Sequence, residues 1–235
     1  MMRPLYHVAC ASRYYNIGMG YTTLFCDLDD TLYPASTGLW QAIKERMNVY
    51  MHERLGIPWE EIPHLREAYF TQYGTTLRGL KAHHGVDEQD FLAFVHDLPL
   101  ERYLKPDPQL RQVLQSLPLR KWVLTNSDVN HARRVLRFLE LEECFEGIID
   151  ILQLAPYCKP QPEAFTIAMR LAGEDHPERC VLIDDLPRTV EAARRFGWFA
   201  ILYGVEGPHP AASATLNDWG KLPMLLNQHN GRDAC

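Results

Sequence analysis

The chain has 235 residues, 46% of them hydrophobic and 23% charged, which is the composition of a globular protein with room for one full domain and a smaller insertion. Its net charge of −6 argues against a nucleic-acid partner, which would need a basic face, and means that an anionic ligand must be drawn in by local groups. The longest apolar runs fall well short of a membrane span, so no membrane partner is expected.

Residues 1–20 show no helical or strand period and no long apolar stretch of a secretory leader. They are read as a flexible N-terminal extension, with Met19 as an alternative start. The first element follows. Leu24, Phe25 and Cys26 form the short apolar run of a strand covered on both faces, and the acids Asp27, Asp29 and Asp30 come directly after it. In open α/β sheets ligands bind beyond the carboxyl ends of strands, so these acids stand where chemistry is usually done. Carboxylates this close repel one another unless a cation or a shared proton relieves them.

Beyond Pro34 the period becomes helical. Trp40, Ile43, Met47, Tyr50 and Met51 share one face, and Gly56 and Pro58 end that pattern. A second helix runs through Ile62, Leu65, Tyr69, Phe70 and Tyr73 to Gly74, and a third starts from Asp87 as N-cap before Phe91, Phe94 and Val95. Alternation of helix and strand returns at Lys105. A helix through Leu110, Val113, Leu114 and Leu117 precedes the strand Lys121–Leu124, which ends in Thr125, Asn126 and Ser127. A helix carrying Ala132, Val135, Leu136 and Leu139 leads to a strand expected at Ile148–Leu152. Lys159 lies in a loop before a helix that begins near Pro162 and closes at Gly173. Cys180–Ile183 form the next strand, ending in Asp184 and Asp185, and Phe199–Tyr203 are expected to form the last one.

The expected architecture is α/β. Residues 21–36 and 105–227 form a Rossmann-like parallel-sheet core, residues 37–104 an inserted all-helical cap, and residues 228–235 a tail. The six cysteines show no CxxC or paired spacing, which reads as reduced thiols in a cytoplasmic setting, and the ten histidines show no zinc-ligand spacing.

The polar groups at the strand ends read, in order, DLDDT, LTNS, the lysine of CKPQPEAF, and IDDLPRT. Together they resemble the four motifs of the haloacid dehalogenase superfamily of phosphatases, over roughly Thr22 to Tyr203. The resemblance implies Asp27 as nucleophile, forming an aspartyl-phosphate, and Asp29 as the acid and base that serves the leaving oxygen and then water. It implies Mg²⁺ held by Asp27, the main-chain carbonyl of Asp29 and Asp184, with Asp185 acting through a water. Thr125 and the N–H of Asn126 would bind phosphoryl oxygens, and Lys159 would neutralise charge on the phosphate and on Asp27. Dehalogenases of this family lack an acid two residues beyond the nucleophile, so Asp29 favours a phosphatase or phosphomutase; a sugar-phosphate mutase needs a cap that holds a bisphosphate, and no arginine cluster obviously suits one, though Arg46, Arg54, Arg66 and Arg78 keep it open.

Leu32-Tyr33-Pro34, Tyr73-Gly74-Thr75-Thr76-Leu77, His96-Asp97-Leu98-Pro99 and Asn130-His131-Ala132-Arg133 are similar to the pyrimidine 5′-nucleotidase branch, whose members act on UMP, CMP or related nucleotides. In that reading the partner is a small phosphomonoester, with Tyr69, Tyr73 and His83 of the cap expected to meet the base. Asp30 and Thr189 stand where this branch usually has asparagine, and the branch includes enzymes for other phosphomonoesters, including a lysophospholipid. The alternatives are a phosphatase of small organic phosphates such as phosphoglycolate, and a non-catalytic phosphate-binding or scaffold protein on the same fold. A nucleophile beside a proton donor argues against the last.

Overall fold

The computed structural model describes residues 20–230. Six strands form one parallel sheet: β1 (Thr23–Cys26), β2 (Arg120–Leu124), β3 (Gly147–Ile149), β4 (Cys180–Asp184), β5 (Phe199–Tyr203) and β6 (Ala214–Leu216), in the order β3-β2-β1-β4-β5-β6. Successive side chains of a strand face opposite ways, and here both faces are covered. Leu24, Cys26, Val123, Val181 and Ile183 join the larger core cluster, while Phe25, Leu124, Leu182 and Ala200 pack with α7 (Pro162–Ala172) and α8 (Pro187–Arg195). The order reverses beside β1, and that crevice is where open α/β sheets place their ligands. Cys26 is level with Ile183 on one side and Val123 on the other, so the residues after β1, β2 and β4 converge there.

Between β1 and β2 the chain builds helices α1 (Leu39–Leu55), α2 (Ile62–Tyr73), α3 (Thr76–His84) and α4 (Glu88–Val95), followed by α5 (Pro108–Ser116). The sequence pattern gave three helices in this insertion; α3 is the addition. Thr75 caps it by accepting from the Arg78 N–H at 3.1 Å. Gly79 lies within it because α2 passes so close that a Cβ there would sit 2.2 Å from the Tyr69 ring. Two arginines, one from each side, tie the insertion down. Arg188 donates to the carbonyls of Phe70 (2.7 Å) and Gly74 (2.6 Å), and Arg78 of the insertion donates to those of Ile151 (2.7 Å) and Tyr157 (3.0 Å).

Three other expectations are corrected. The strand expected at Ile148–Leu152 ends at Ile149, because Asp150 turns the chain by accepting from the N–H groups of Gln153 and Val129, each at 2.9 Å. Phe199–Tyr203 is not the last strand: Ala214–Leu216, too short and too small to read as one, adds to its edge. The tail expected from residue 228 begins inside a helix, α9 (Leu222–Asn230). The extension at 1–19 and residues 231–235 lie outside the described residues. No helix among those described is long and apolar enough to cross a membrane.

Candidate active site

Asp27 leaves the end of β1 with its N–H bonded to the Ile183 carbonyl at 2.9 Å, which fixes its backbone against β4. Its carboxylate is buried, accepts from Lys159 Nζ at 2.7 Å and lies 3.4 Å from the Thr31 hydroxyl. Lys159 also donates to Asp184 Oδ2 at 2.7 Å, while Asp184 Oδ1 caps the turn into α8 by accepting from the Leu186 N–H at 2.9 Å. One ammonium thus bridges two carboxylates from neighbouring strands.

Asn126 holds that lysine in place. Its side-chain oxygen accepts from the Lys159 N–H at 2.9 Å and its amide donates to the Lys159 carbonyl at 3.0 Å, so one amide clamps the backbone of the loop. Only the Asn126 main chain figured in the sequence reading; a role for its side chain has no signal in a run of letters. Thr125 Oγ1 accepts from the Ser127 N–H at 3.0 Å, which leaves the hydroxyl proton free to donate towards the cavity that Thr125 lines.

Carboxylate oxygens of Asp27, Asp184 and Asp185 lie within 4.8 Å of one another. Three acids against one ammonium leave the cluster short of positive charge. Burial, only partly offset by Lys159 and reinforced by Asp184 and Asp185, holds the Asp27 carboxyl well above its ordinary range. Burial and the neighbouring Asp184 push Asp185 up to about 7. Burial alone would lower Lys159, but Asp184 and Asp27 outweigh it and keep it protonated. A small set of hard oxygen donors with unbalanced negative charge is chemistry that suits Mg²⁺, so the residues present fit the ion.

Asp29 is different. Its Oδ1 accepts from the Tyr33 hydroxyl at 2.6 Å and lies 2.8 Å from His131 Nε2, while Oδ2 accepts from the Ser127 hydroxyl at 2.5 Å. Burial would raise this carboxyl, but His131, Ser127 and Tyr33 together hold it well below the usual carboxylate range. Asp30, the next residue, is pushed up to about 6 by partial burial and by Asp29.

These groups open onto a cavity of about 430 Å³ under the helical insertion. Asp27, Asp29, Thr125, Asn126, Ser127, Lys159 and Asp185 line its floor. Trp40, Met47, Phe70 and Phe91, with Lys44, Arg66 and Glu67, line its helical side. Tyr69, Tyr73 and His83, expected to meet a base, do not line the cavity. Tyr69 packs on Gly79 and stacks with His83 at 5.2 Å, and the Tyr73 hydroxyl pairs with His83 Nε2 at 2.7 Å. Helical period placed Tyr69 and Phe70 on one element, but only Phe70 points inward; the close approach of α3, admitted by Gly79, decides which.

A parallel α/β sheet with an acid cluster at its switch point and a helical insertion over it is the arrangement of an α/β protein that binds its ligand at the strand ends. The family model for haloacid dehalogenase-like hydrolases matches residues 21–197, and the chain belongs to that family. Phosphate metabolism protein 8 of Saccharomyces cerevisiae is 31% identical over 196 residues, covering 77% of this chain and 61% of the yeast protein. The chain therefore spans about three fifths of the length of that relative. Among solved structures, the HAD-hydrolase YfnB of Bacillus subtilis bound to magnesium is similar with a TM-score of 0.58 at 18% identity, covering 88% of this chain and 99% of the other. A predicted phosphoglycolate phosphatase from Haemophilus somnus gives 0.59 at 16% identity, covering 88% and 99%.

Proposed function

We infer that the protein is a Mg²⁺-dependent phosphomonoester hydrolase working through an aspartyl-phosphate, and that its substrate is a pyrimidine nucleoside monophosphate. The observation that carries the reading is Asp27, a buried carboxylate at a strand end, oriented by Lys159 at 2.7 Å within a cluster of three acids that this one ammonium does not neutralise. Asp27, Asp184 and the Asp29 carbonyl would hold the ion, with Asp185 acting through a water. When bound, the ion supplies charge for the phosphoryl oxygens and removes the repulsion among the acids.

In the first half-reaction Asp27 attacks phosphorus while the bond to the ester oxygen breaks, and Asp29 protonates the departing oxygen. In the second, water attacks phosphorus, Asp29 takes its proton, and the bond to Asp27 breaks. The Thr125 hydroxyl, the Asn126 N–H and Lys159 supply donors to the equatorial oxygens. The three donors around Asp29 favour its anionic form, the one that serves the second half-reaction.

Aromatic side chains beside Arg66 and Glu67 supply a stacking surface and hydrogen-bonding partners for a base, which supports a nucleotide. Lys44 and Arg66 on that same side would equally suit a second anionic group, which keeps phosphoglycolate as the other candidate. The test is phosphate release from UMP, CMP, AMP, GMP and phosphoglycolate, with and without Mg²⁺, using Asp27→Asn as blank. Preference for UMP and CMP supports the assignment. Release chiefly from phosphoglycolate, or from all esters alike, discards the pyrimidine part, and release that ignores Mg²⁺ discards the ion.

A further inference from the structure

Two of the three groups on Asp29 come from loops next to the nucleophile, but the third does not. His131 belongs to α6 (Val129–Phe138), is buried to 1% exposure and does not line the cavity. A carboxylate only accepts, so the facing Nε2 carries the proton and donates. His131 Nδ1 is buried with no hydrogen-bond partner, so the ring's one polar contact is Asp29.

The face of that ring is also occupied. His131 stacks on His96, with centroids 4.1 Å apart and planes 15° from parallel. His96 caps the C-terminal end of α4, the last helix of the insertion, and its Nδ1 lies 2.6 Å from Asp128 Oδ2. Asp128 in turn is the N-cap of α6, accepting from the N–H groups of Asn130 (2.8 Å) and His131 (3.1 Å). One turn along α6 from Asn130, Arg134 donates to the carbonyls of His96 (2.8 Å) and Leu98 (2.7 Å). A single helix therefore grips Asp29 with one side chain and the exit of the insertion with two others.

We propose that His131 is a positioning residue for Asp29, and that its ring is set by the insertion through His96, so that Asp29 keeps its place only while the end of α4 is seated on α6. This deepens the function inferred above and rests on Asp29 moving the proton. His131 acts through Asp29 and not on the substrate. Packing alone would account for a buried histidine pair, so the test needs a readout that packing would not move.

The two half-reactions provide it. With 4-nitrophenyl phosphate the first step releases nitrophenolate, a leaving group that needs no proton, whereas the second step still requires Asp29 to accept one from water. A displaced Asp29 thus slows only the second step and lets phosphoenzyme accumulate. Rapid mixing with this ester and Mg²⁺ compares the wild type with His131→Phe, His131→Gln, His96→Ala and Asp29→Asn.

For His131→Phe the expected result is a burst of about one nitrophenolate per protein, then turnover at least about tenfold below wild type. His131→Gln, whose amide N–H replaces Nε2–H, returns turnover to within about threefold. His96→Ala, which removes the stacked ring, gives the same burst with a loss of about three- to fivefold. Wild-type turnover in His131→Phe overturns the proposal, as does an equal fall in burst and turnover, the signature of a general structural defect. Wild-type turnover in His96→Ala overturns the coupling to the insertion. If melting curves show that His131→Phe does not fold, His131→Asn, one carbon too short to reach, takes its place beside His131→Gln. Undiminished turnover in Asp29→Asn would instead remove the acid–base reading beneath, which separates the two failures.

Discussion

At and beneath the floor of the cavity, three carboxylates carried where parallel strands end face one ammonium carried by a loop; the helical side presents Trp40, Met47, Phe70 and Phe91, with Lys44, Arg66 and Glu67 set among them. Floor positions are dictated by backbone: Asp27 by its N–H on the Ile183 carbonyl, Asp184 by the turn it caps, Lys159 by the Asn126 clamp. Positions on the helical side are dictated by which face of a helix turns inward, and a side chain there can change without disturbing the sheet. The difference separates two tasks. Under the proposed function the floor would perform the chemistry, and the helical side would set which molecule receives it.

The sharpest way to break this division is at Asp27. Asp27→Asn removes the proposed nucleophile but keeps shape and burial, and turnover should fall by about a thousandfold or more on every ester, while Asp29→Asn does not mimic its loss of phosphoenzyme. Trapping of a phosphorylated protein by acid quench checks this, and covalent phosphate found on the Asp27→Asn protein would place the nucleophile elsewhere. Lys159→Met comes next. It removes the ammonium that orients Asp27 and, in the proposed function, would face the phosphate, and kcat should drop about a hundredfold for all substrates alike. A loss confined to one substrate would make the lysine part of selectivity and blur the two sides.

Changes on the helical side should be smaller and uneven. Arg66 is already engaged with Asn48 Oδ1 at 2.9 Å, leaving other guanidinium donors for a ligand. Arg66→Met should raise KM about tenfold for the preferred substrate with kcat nearly unchanged, and alter the ranking of substrates. If kcat falls equally for every ester, the helical side takes part in the chemistry and the division fails.

Legibility in the sequence follows the same division. Most of the floor could be read because Asp27, Thr125 and Asp184 follow or end short apolar strands, a position that is itself a signal; Lys159, in a loop, was legible only through the four-motif resemblance, and the structure brings it onto Asp27 and Asp184. What surrounds Asp29 could not be read, since Tyr33, Ser127 and His131 come together only through tertiary packing. His131 and His96 were visible as parts of short motifs without any task attached. The helical side was misread because an amphipathic period gives a face but not what lies against it. Tyr69 fell inside a helix pair that Gly79 allows to close, with His83 stacked on it at the exposed side, and the mostly polar end of α3, with Lys81, His83 and His84, hid that helix.

The seam between the two sides offers the smallest and most specific test. Asp128 is buried at the start of α6; burial would raise its carboxyl, but the hydrogen bond and charge of His96 and the helix N–H groups lower it to about 2. A carboxyl depressed on folding stabilises the native state above its ordinary pKa and loses that contribution as pH falls towards the folded value. From 3.8 down to about 2 the contribution is of order 2 kcal/mol. His96 adds to the acid sensitivity in the same direction. Burial and the adjacent His131 lower its pKa, so the unfolded chain takes up a proton first as pH drops below the ordinary histidine value. Asparagine caps a helix as well as aspartate does, so Asp128→Asn spares the first turn of α6 while it removes the charge facing His96 and puts an amide donor in place of the acceptor there. Urea unfolding should place the variant about 2 kcal/mol below wild type at neutral pH, with the gap closing between about pH 4 and pH 2. A variant as stable as wild type at every pH would mean that Asp128 serves α6 as a cap and nothing more. The insertion would then be held to the core there by Arg134 alone, with the His96–His131 stack left as packing.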